Sequence, residues 1–155
     1  MLPEETLADS FISFVGAKEQ SIKLALCSAF GQEVGLEATR DAFAYAWEHW
    51  GRISRMDSPA GYLWRVGRNR ARRIKTRRAP LFDSVSLEHL PWVEPGLPRA
   101  IEALSEKQRV AVLLVYGFDW TFDEVADLLS VSRSTVQTHT ERGLARIRDK
   151  LGVEL

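Results

Sequence analysis

The sequence is poor in the residues that covalent cross-linking and catalysis require. It has one cysteine, Cys27, so it can form neither an intramolecular disulfide nor a cysteine-based zinc site. Cys27 lies among Leu24, Ala25, Leu26, Ala29 and Phe30 and reads as a small buried hydrophobe. The three histidines, His49, His89 and His139, are scattered, and no metal-ligand cluster, paired-carboxylate spacing or nucleophile motif accompanies them. The expectation is a protein that is not an enzyme and uses no metal, cofactor or small-molecule substrate. No apolar run approaches the roughly 20 residues of a membrane span. The first residues, Met1-Leu2-Pro3-Glu4-Glu5, are acidic and unlike a secretory leader. These features predict a soluble, reduced, cytoplasmic chain without a membrane partner. Strand-like alternation and internal repeats are lacking as well, so the expected fold class is all-α.

Net charge is also lacking: 21 basic and 21 acidic side chains cancel. The cancellation hides a strong polarity. Residues 1–50 carry three positive and eight negative side chains, a balance of −5, whereas residues 51–80 carry ten and one, a balance of +9. Residues 81–104 return to −3, and residues 105–155 are near neutral at −1. A single cationic block in an otherwise acidic chain points to an anionic partner for that block and a different partner for the remainder.

Proline supplies the punctuation. Pro80, Pro91, Pro95 and Pro98 fall close together, around Leu81 to Leu90, and a helix cannot run through that density. Residues 80–98 therefore read as a linker between two small helical domains, 1–79 and 99–155. The first domain shows about four helices. Leu7, Phe11, Phe14 and Val15 mark one, and Ile22, Leu26, Ala29 and Phe30 a second. A third runs from about Glu33 to Trp50, with Leu36, Phe43, Trp47 and Trp50 on one side; Trp47 reads as core. The fourth has Ser58 as cap and Pro59 at its first position, with Tyr62, Leu63, Val66 and Ile74 on its apolar side.

The second domain opens on Ser105-Glu106-Lys107-Gln108, which has capping-box form, and its helix continues through Val110, Leu113, Leu114 and Tyr116 to Gly117. A second capping box, Thr121-Phe122-Asp123-Glu124, starts a short helix carrying Val125, Leu128 and Leu129. The turn Ser130-Val131-Ser132 and a long helix from about Arg133 to Leu151 complete a helix-turn-helix. In the last helix Val136, Thr140, Gly143 or Leu144, Ile147 and Leu151 step inward by threes and fours. The opposite phase presents Arg133, Ser134, Gln137, Thr138, Glu141 and Arg142, with His139 beside them and Arg148 further along. Gln137 can pair bidentately with adenine, Arg142 can reach guanine or phosphate, and Ser134 and Thr138 allow close approach. Without DNA, the same polar stripe is ordinary solvated surface, and His139 can equally cover the helix flank.

From Arg65 to Arg78 the chain holds eight cationic residues, Arg72 and Arg73 among them, and no acidic one. On one helix they repel each other unless anions are near. A nucleic-acid backbone relieves that repulsion and makes binding salt-sensitive. Trp50, Tyr62 and Trp64 lie upstream and can stack on unpaired bases or fill a core.

These segments together resemble the bacterial RNA polymerase sigma factors, and among them the small extracytoplasmic-function group, which keeps only sigma domains two and four. The resemblance runs through Glu37-Ala38-Thr39-Arg40-Asp41-Ala42-Phe43-Ala44-Tyr45-Ala46-Trp47, and then Pro59 to Asn69. In the second half it runs through Leu104 to Arg109, Glu124 to Ser132, Thr135-Val136, and Arg142 to Arg148. It covers nearly the whole chain. It implies two partners, core RNA polymerase through its clamp helices and flap, and promoter DNA; an anti-sigma factor is a third that such proteins can have. Glu37, Arg40, Phe43 and Trp47 would bind the clamp helices. Residues 51–58, with Arg52 and Arg55, would capture a flipped base of the minus-ten element. Trp64, Arg65, Arg68 and Asn69, with Arg72 and Arg73, would support strand separation and hold the non-template strand. Arg133, Ser134, Gln137, Thr138, His139, Glu141 and Arg142 would read the minus-thirty-five element. The chain departs from the family at Glu37 and Arg40, where Asp and Gln are usual, at Arg73 and Thr76, and at His139, so promoter preference does not carry over. A rival reading is an autonomous helix-turn-helix regulator that binds a symmetric operator without polymerase.

Overall fold

Residues Glu4–Phe30 form one unbroken helix, α1, where the apolar pattern predicts two. The stripe drifts around this long helix and serves two partners. Phe11 and Phe14 pack on Trp50, with ring centroids 5.4 and 4.8 Å apart, while Ile22, Ala25, Leu26 and Ala29 are fully buried further along. Gly16, between the two stretches, faces open space and interrupts nothing. The computed structural model describes residues 4–75 and 96–152, and among them every regular element is helical.

Gly31 turns the chain from α1 into α2 (Gln32–Glu48) in one residue, with φ at 88°, a value glycine adopts without a side-chain clash. The two helices then meet at Gly35. A Cβ there would lie 2.5 Å from the Cys27 Cα, so only a hydrogen fits. Helix α2 ends at Glu48, short of the predicted Trp50, because His49 leaves helical geometry; Trp50–Ile53 then form a separate single turn, α3. Helix α4 (Pro59–Lys75) starts as its sequence requires, with the Ser58 Oγ accepting the Gly61 N–H at 3.1 Å. It lays Leu63, Trp64, Gly67, Ala71 and Ile74 against α1 and α2.

Residues 76–95, which contain most of the predicted linker, His89, Arg77 and Arg78, lie outside the described residues. Leu97 and Pro98, also assigned to that linker, instead belong to a helix, α5 (Leu97–Glu102). Pro98 sits in its first turn, where no backbone N–H is needed, so this proline opens a helix. Helix α6 (Glu106–Val112) begins with the predicted capping box. Ser105 accepts from the Gln108 N–H, and Gln108 accepts from the Ser105 N–H. It continues as a wider π turn, Leu113–Gly117, and helices α7 (Phe122–Leu129) and α8 (Arg133–Leu151) follow.

One buried apolar cluster joins both halves of the chain. It contains Leu26, Phe30, Leu63 and Trp64 from the first half and Val110, Leu114, Val125 and Leu128 from the second. A smaller cluster, Ala100, Leu104, Val112 and Ile147, belongs to the second half alone.

The glycines make opposite predictions. Gly35→Ala meets backbone that cannot yield and should lower unfolding stability by about 2–3 kcal/mol. Gly16→Ala adds helix propensity in open space and should raise it by up to about 1 kcal/mol. Urea denaturation midpoints of the two variants check both signs.

Candidate nucleic-acid interface

The helix-turn-helix is built by three local hydrogen-bond devices. Thr121 accepts the Glu124 N–H at 3.1 Å while Glu124 accepts the Thr121 N–H at 3.2 Å, which fixes the start of α7. Ser130 then adopts the left-handed conformation (φ 56°, ψ 47°), and the Val131 N–H closes back on the Ala126 carbonyl at 3.1 Å. Ser132 caps α8 by accepting the Thr135 N–H at 3.1 Å. The turn therefore has one geometry, and α8 leaves it in a defined direction.

Packing sets the rotation of α8. Val136, Thr140, Gly143 and Ile147 are buried against the rest of the second half. At Gly143 a Cβ would lie 2.6 Å from the Val112 side chain, which marks the close approach of α6. Arg146 ties the far end down, donating to the Gln108 side chain at 3.0 Å and the Ala103 carbonyl at 2.9 Å. Arg133, Ser134, Gln137, Glu141 and Arg142 are exposed, as the phase predicts, whereas Thr138 and His139 are half-buried. Thr138 donates to the Ser134 carbonyl at 3.0 Å. Arg133 lies over the Phe122 ring at 5.7 Å and 3.8 Å from Asp123, which tethers it to α7. Burial, then the charges of Lys107 and Arg142, hold the His139 pKa below its usual value. Burial and these cationic neighbours favour the neutral imidazole.

On α4 the basic side chains separate into two groups. Arg65, Asn69, Arg70 and Arg73 are exposed. Arg72 turns toward the second half, where its Nε donates to Glu106 Oε2 at 3.1 Å and its Nη2 to Glu106 Oε1 at 2.8 Å. Arg68 is half-buried beside it, and its Nε is a buried donor without a partner. Burial, then the adjacent Arg72 charge, lower its pKa. Of the residues expected to hold unpaired DNA, Arg68 and Arg72 thus face the seam between the halves.

Two aromatic expectations need correction. Trp64 is 3 % exposed and Trp50 is 5 % exposed, with the Trp50 Nε1 donating to Ser10 at 3.2 Å, so neither can stack on a base in this arrangement. Trp64 shares its phase with Gly67, Ala71 and Ile74, and that phase is the core side of α4. Trp47 differs in the other direction. Predicted as core, it is 54 % exposed, because Phe11 covers it from one side only, at 5.2 Å. It shares an outward stripe of α2 with Arg40, while Phe43 lies partly buried against Phe14, and Glu37 is half-buried.

The structure also assembles a cluster that sequence spacing does not show. Tyr62 lies between two guanidiniums, Arg52 at 5.7 Å and Arg65 at 5.8 Å from the ring centroid. The Arg52 Nη2 donates to the Tyr45 hydroxyl at 3.1 Å, and the Tyr45 ring stacks on His49 at 4.2 Å. Hydrogen bonding to Tyr45, then to Arg52, holds the Tyr62 hydroxyl below the usual phenol range. Tyr45 is the residue sequence reasoning missed. Its spacing of four from His49 on α2 was the available signal. Arg55 is exposed, and no contact links it to this cluster.

Residues 96–147 match the family model for sigma-70, region 4. The match spans α5 to most of α8, about a third of the chain, and includes all of the helix-turn-helix. It supports a sigma-factor role for this region, namely DNA binding in transcription initiation. Such a role brings core RNA polymerase and promoter DNA as partners. No curated protein matches the chain. Among the described residues, no helix is long and apolar enough to cross a membrane.

The Arg72–Glu106 pair connects the matched segment to the basic helix, and its partial exposure limits its worth to at most about 1 kcal/mol. Glu106→Gln should therefore barely change stability while releasing Arg72. Its binding to single-stranded DNA should gain a steeper salt dependence, by roughly 0.7 in the log–log slope for one added phosphate contact. Fluorescence anisotropy at several salt concentrations measures this; an unchanged slope means that Arg72 contacts no phosphate.

Proposed function

We propose that this chain is a sigma factor of the extracytoplasmic-function type. It would direct core RNA polymerase to promoters, melt the minus-ten element and leave all chemistry to the polymerase. The observation that carries the reading is a region 4 match on a helix-turn-helix with an exposed polar face, in the same chain as an arginine-rich helix. In this reading residues 1–79 bind the clamp and the minus-ten element, residues 80–95 connect, and residues 96–155 read the minus-thirty-five element. Gln137, Glu141 and Arg142 supply base and phosphate contacts, with Ser134 and Thr138 allowing close approach. Exposed Arg52 and Arg65, on either side of the partly buried Tyr62 ring, supply a cationic and aromatic surface suited to an unpaired base. Arg40 and Trp47, two turns apart on the exposed side of α2, are the groups offered to the polymerase.

The neutral overall charge agrees with dependence on a carrier. Affinity for free DNA rests on phosphate neutralisation, and a chain of zero net charge with two small contact surfaces has little of it. Mounted on polymerase, the two surfaces act together and the second contact becomes intramolecular. Unstacking each captured base costs a few kcal/mol, which the pocket contacts must offset.

The test is reconstitution with core polymerase and a library of promoter fragments. The expected result is a stable holoenzyme and transcripts with defined starts. Operator footprints without polymerase, and no holoenzyme, would mean an autonomous regulator instead. Within a working holoenzyme, Gln137→Ala should change the preferred upstream sequence. Arg68→Ala should instead reduce permanganate reactivity of the melted region by about tenfold or more, the scale of one lost charge-assisted contact.

A further inference from the structure

A cavity of about 600 Å³ lies on the seam between the two halves, away from both polar faces described above. Leu24 and Leu36 form one wall, from α1 and α2. Leu97, Ile101 and Phe118 form the other, from α5 and the segment after α6. The volume is in the range of small-molecule sites, and so is the predominance of apolar lining. Three polar features interrupt that lining.

Ser28 is 4 % exposed and lines the cavity, yet its Oγ is buried without a hydrogen-bond partner. Serines in helices ordinarily bond to a carbonyl of their own preceding turn, and leaving a buried hydroxyl unpaired is costly. Lys23, also lining the cavity, has no ion-pair partner among the described residues. Gln32, the third, opens α2, a 17-residue helix whose N-cap, Gly31, supplies no side-chain hydrogen bond. The ammonium favours a negative charge; the α2 N-terminus does too, but Glu33 in its first turn already supplies one, so Lys23 carries the preference. The apolar walls favour an aliphatic body.

From this combination we infer that the cavity binds a small amphipathic carboxylate, a medium-chain acyl acid, with its chain between the leucine walls and its head toward Lys23. Since the walls come from both halves, the bound molecule joins them. Occupancy raises the stability of the packed arrangement by mass action.

Isothermal calorimetry and thermal unfolding of the intact chain with decanoate test the site, with decyltrimethylammonium as the probe of equal chain length and opposite charge. Decanoate should bind saturably with one site and raise the Tm, at least tenfold more tightly than the cation. Lys23→Gln should weaken decanoate about tenfold and leave the cation no weaker than before. Leu36→Trp should fill the cavity and abolish binding, with unaltered helical circular dichroism as the check that the variant folds. Ser28→Ala should raise the Tm of the unliganded protein and lower decanoate affinity; a serine with only a structural role would not produce those opposite effects. Absence of saturable decanoate binding overturns the inference, and so does binding that Lys23→Gln and Leu36→Trp both leave intact.

Discussion

The arrangement depends on one buried guanidinium. Arg109, on α6, is 3 % exposed, and backbone carbonyls accept its hydrogen bonds. It donates to Leu104 at 3.0 Å, to Ile101 at 3.3 Å and to Glu102 at 3.4 Å, which occupies the carbonyls where α5 ends. It also donates to the Ala29 carbonyl at the end of α1. A cation therefore sits at the C-terminal ends of two helices, where the backbone dipoles favour it. Burial lowers its pKa, while Glu106 and Glu102 raise it, and a guanidinium stays charged through such opposition. Removing one partner of a buried charge costs several kcal/mol, so the α1 end and the α5–α6 corner are held together. From that corner the rest follows: α6 fixes α8 through Gly143, and α8 fixes where Gln137 and Arg142 point.

Much of this was legible in residue order, for reasons that are local. Caps are short-range chemistry, and Ser58, Ser105, Thr121 and Ser132 each accept the N–H that their position demands. The inward phase of α8 was legible because Val136, Thr140, Gly143 and Ile147 answer to one packing surface. What escaped depended on partners distant in sequence. The unity of α1 was hidden because its two stripes face different neighbours. Size and hydrophobicity do not say which side of a helix is covered, so Trp47, read as core, is exposed, and Trp64, open to stacking or core, is core. The phase of Trp64 with Gly67 and Ala71 did carry that information. The Tyr45–Arg52–Tyr62 cluster needs α2, α3 and α4 in place before it exists.

The seam gives the charge map a second meaning. A block with a balance of +9 was read as a surface awaiting an anion. In the folded chain two of its arginines already face the other half. Arg72 has its carboxylate, at low energetic worth because the pair is partly solvated. Arg68 is desolvated, with one donor unpaired. These are opposite conditions: one partner is easily surrendered and one donor is in want of a partner. A phosphate arriving at this end of α4 competes with Glu106 for Arg72 at little cost, whereas the buried Nε of Arg68 is out of its reach.

That asymmetry bears on how the region 4 segment and the basic helix can act in sequence. The packing of the halves is strong where it is apolar, through Leu63, Trp64, Val110 and Leu114, and at Arg109; it is weak where it is ionic. An anion competing at the ionic edge therefore weakens the seam first at Glu106, three residues before Arg109 on the same helix. Loss of the Arg72 contact leaves Glu106 free to draw on Arg109 and Arg68, both of which already feel its charge. The Arg109 hydrogen bond to the Ala29 carbonyl crosses the seam. The apolar contacts and Arg109 thus hold the halves together, and the Arg72–Glu106 pair at the edge of α4 adds little.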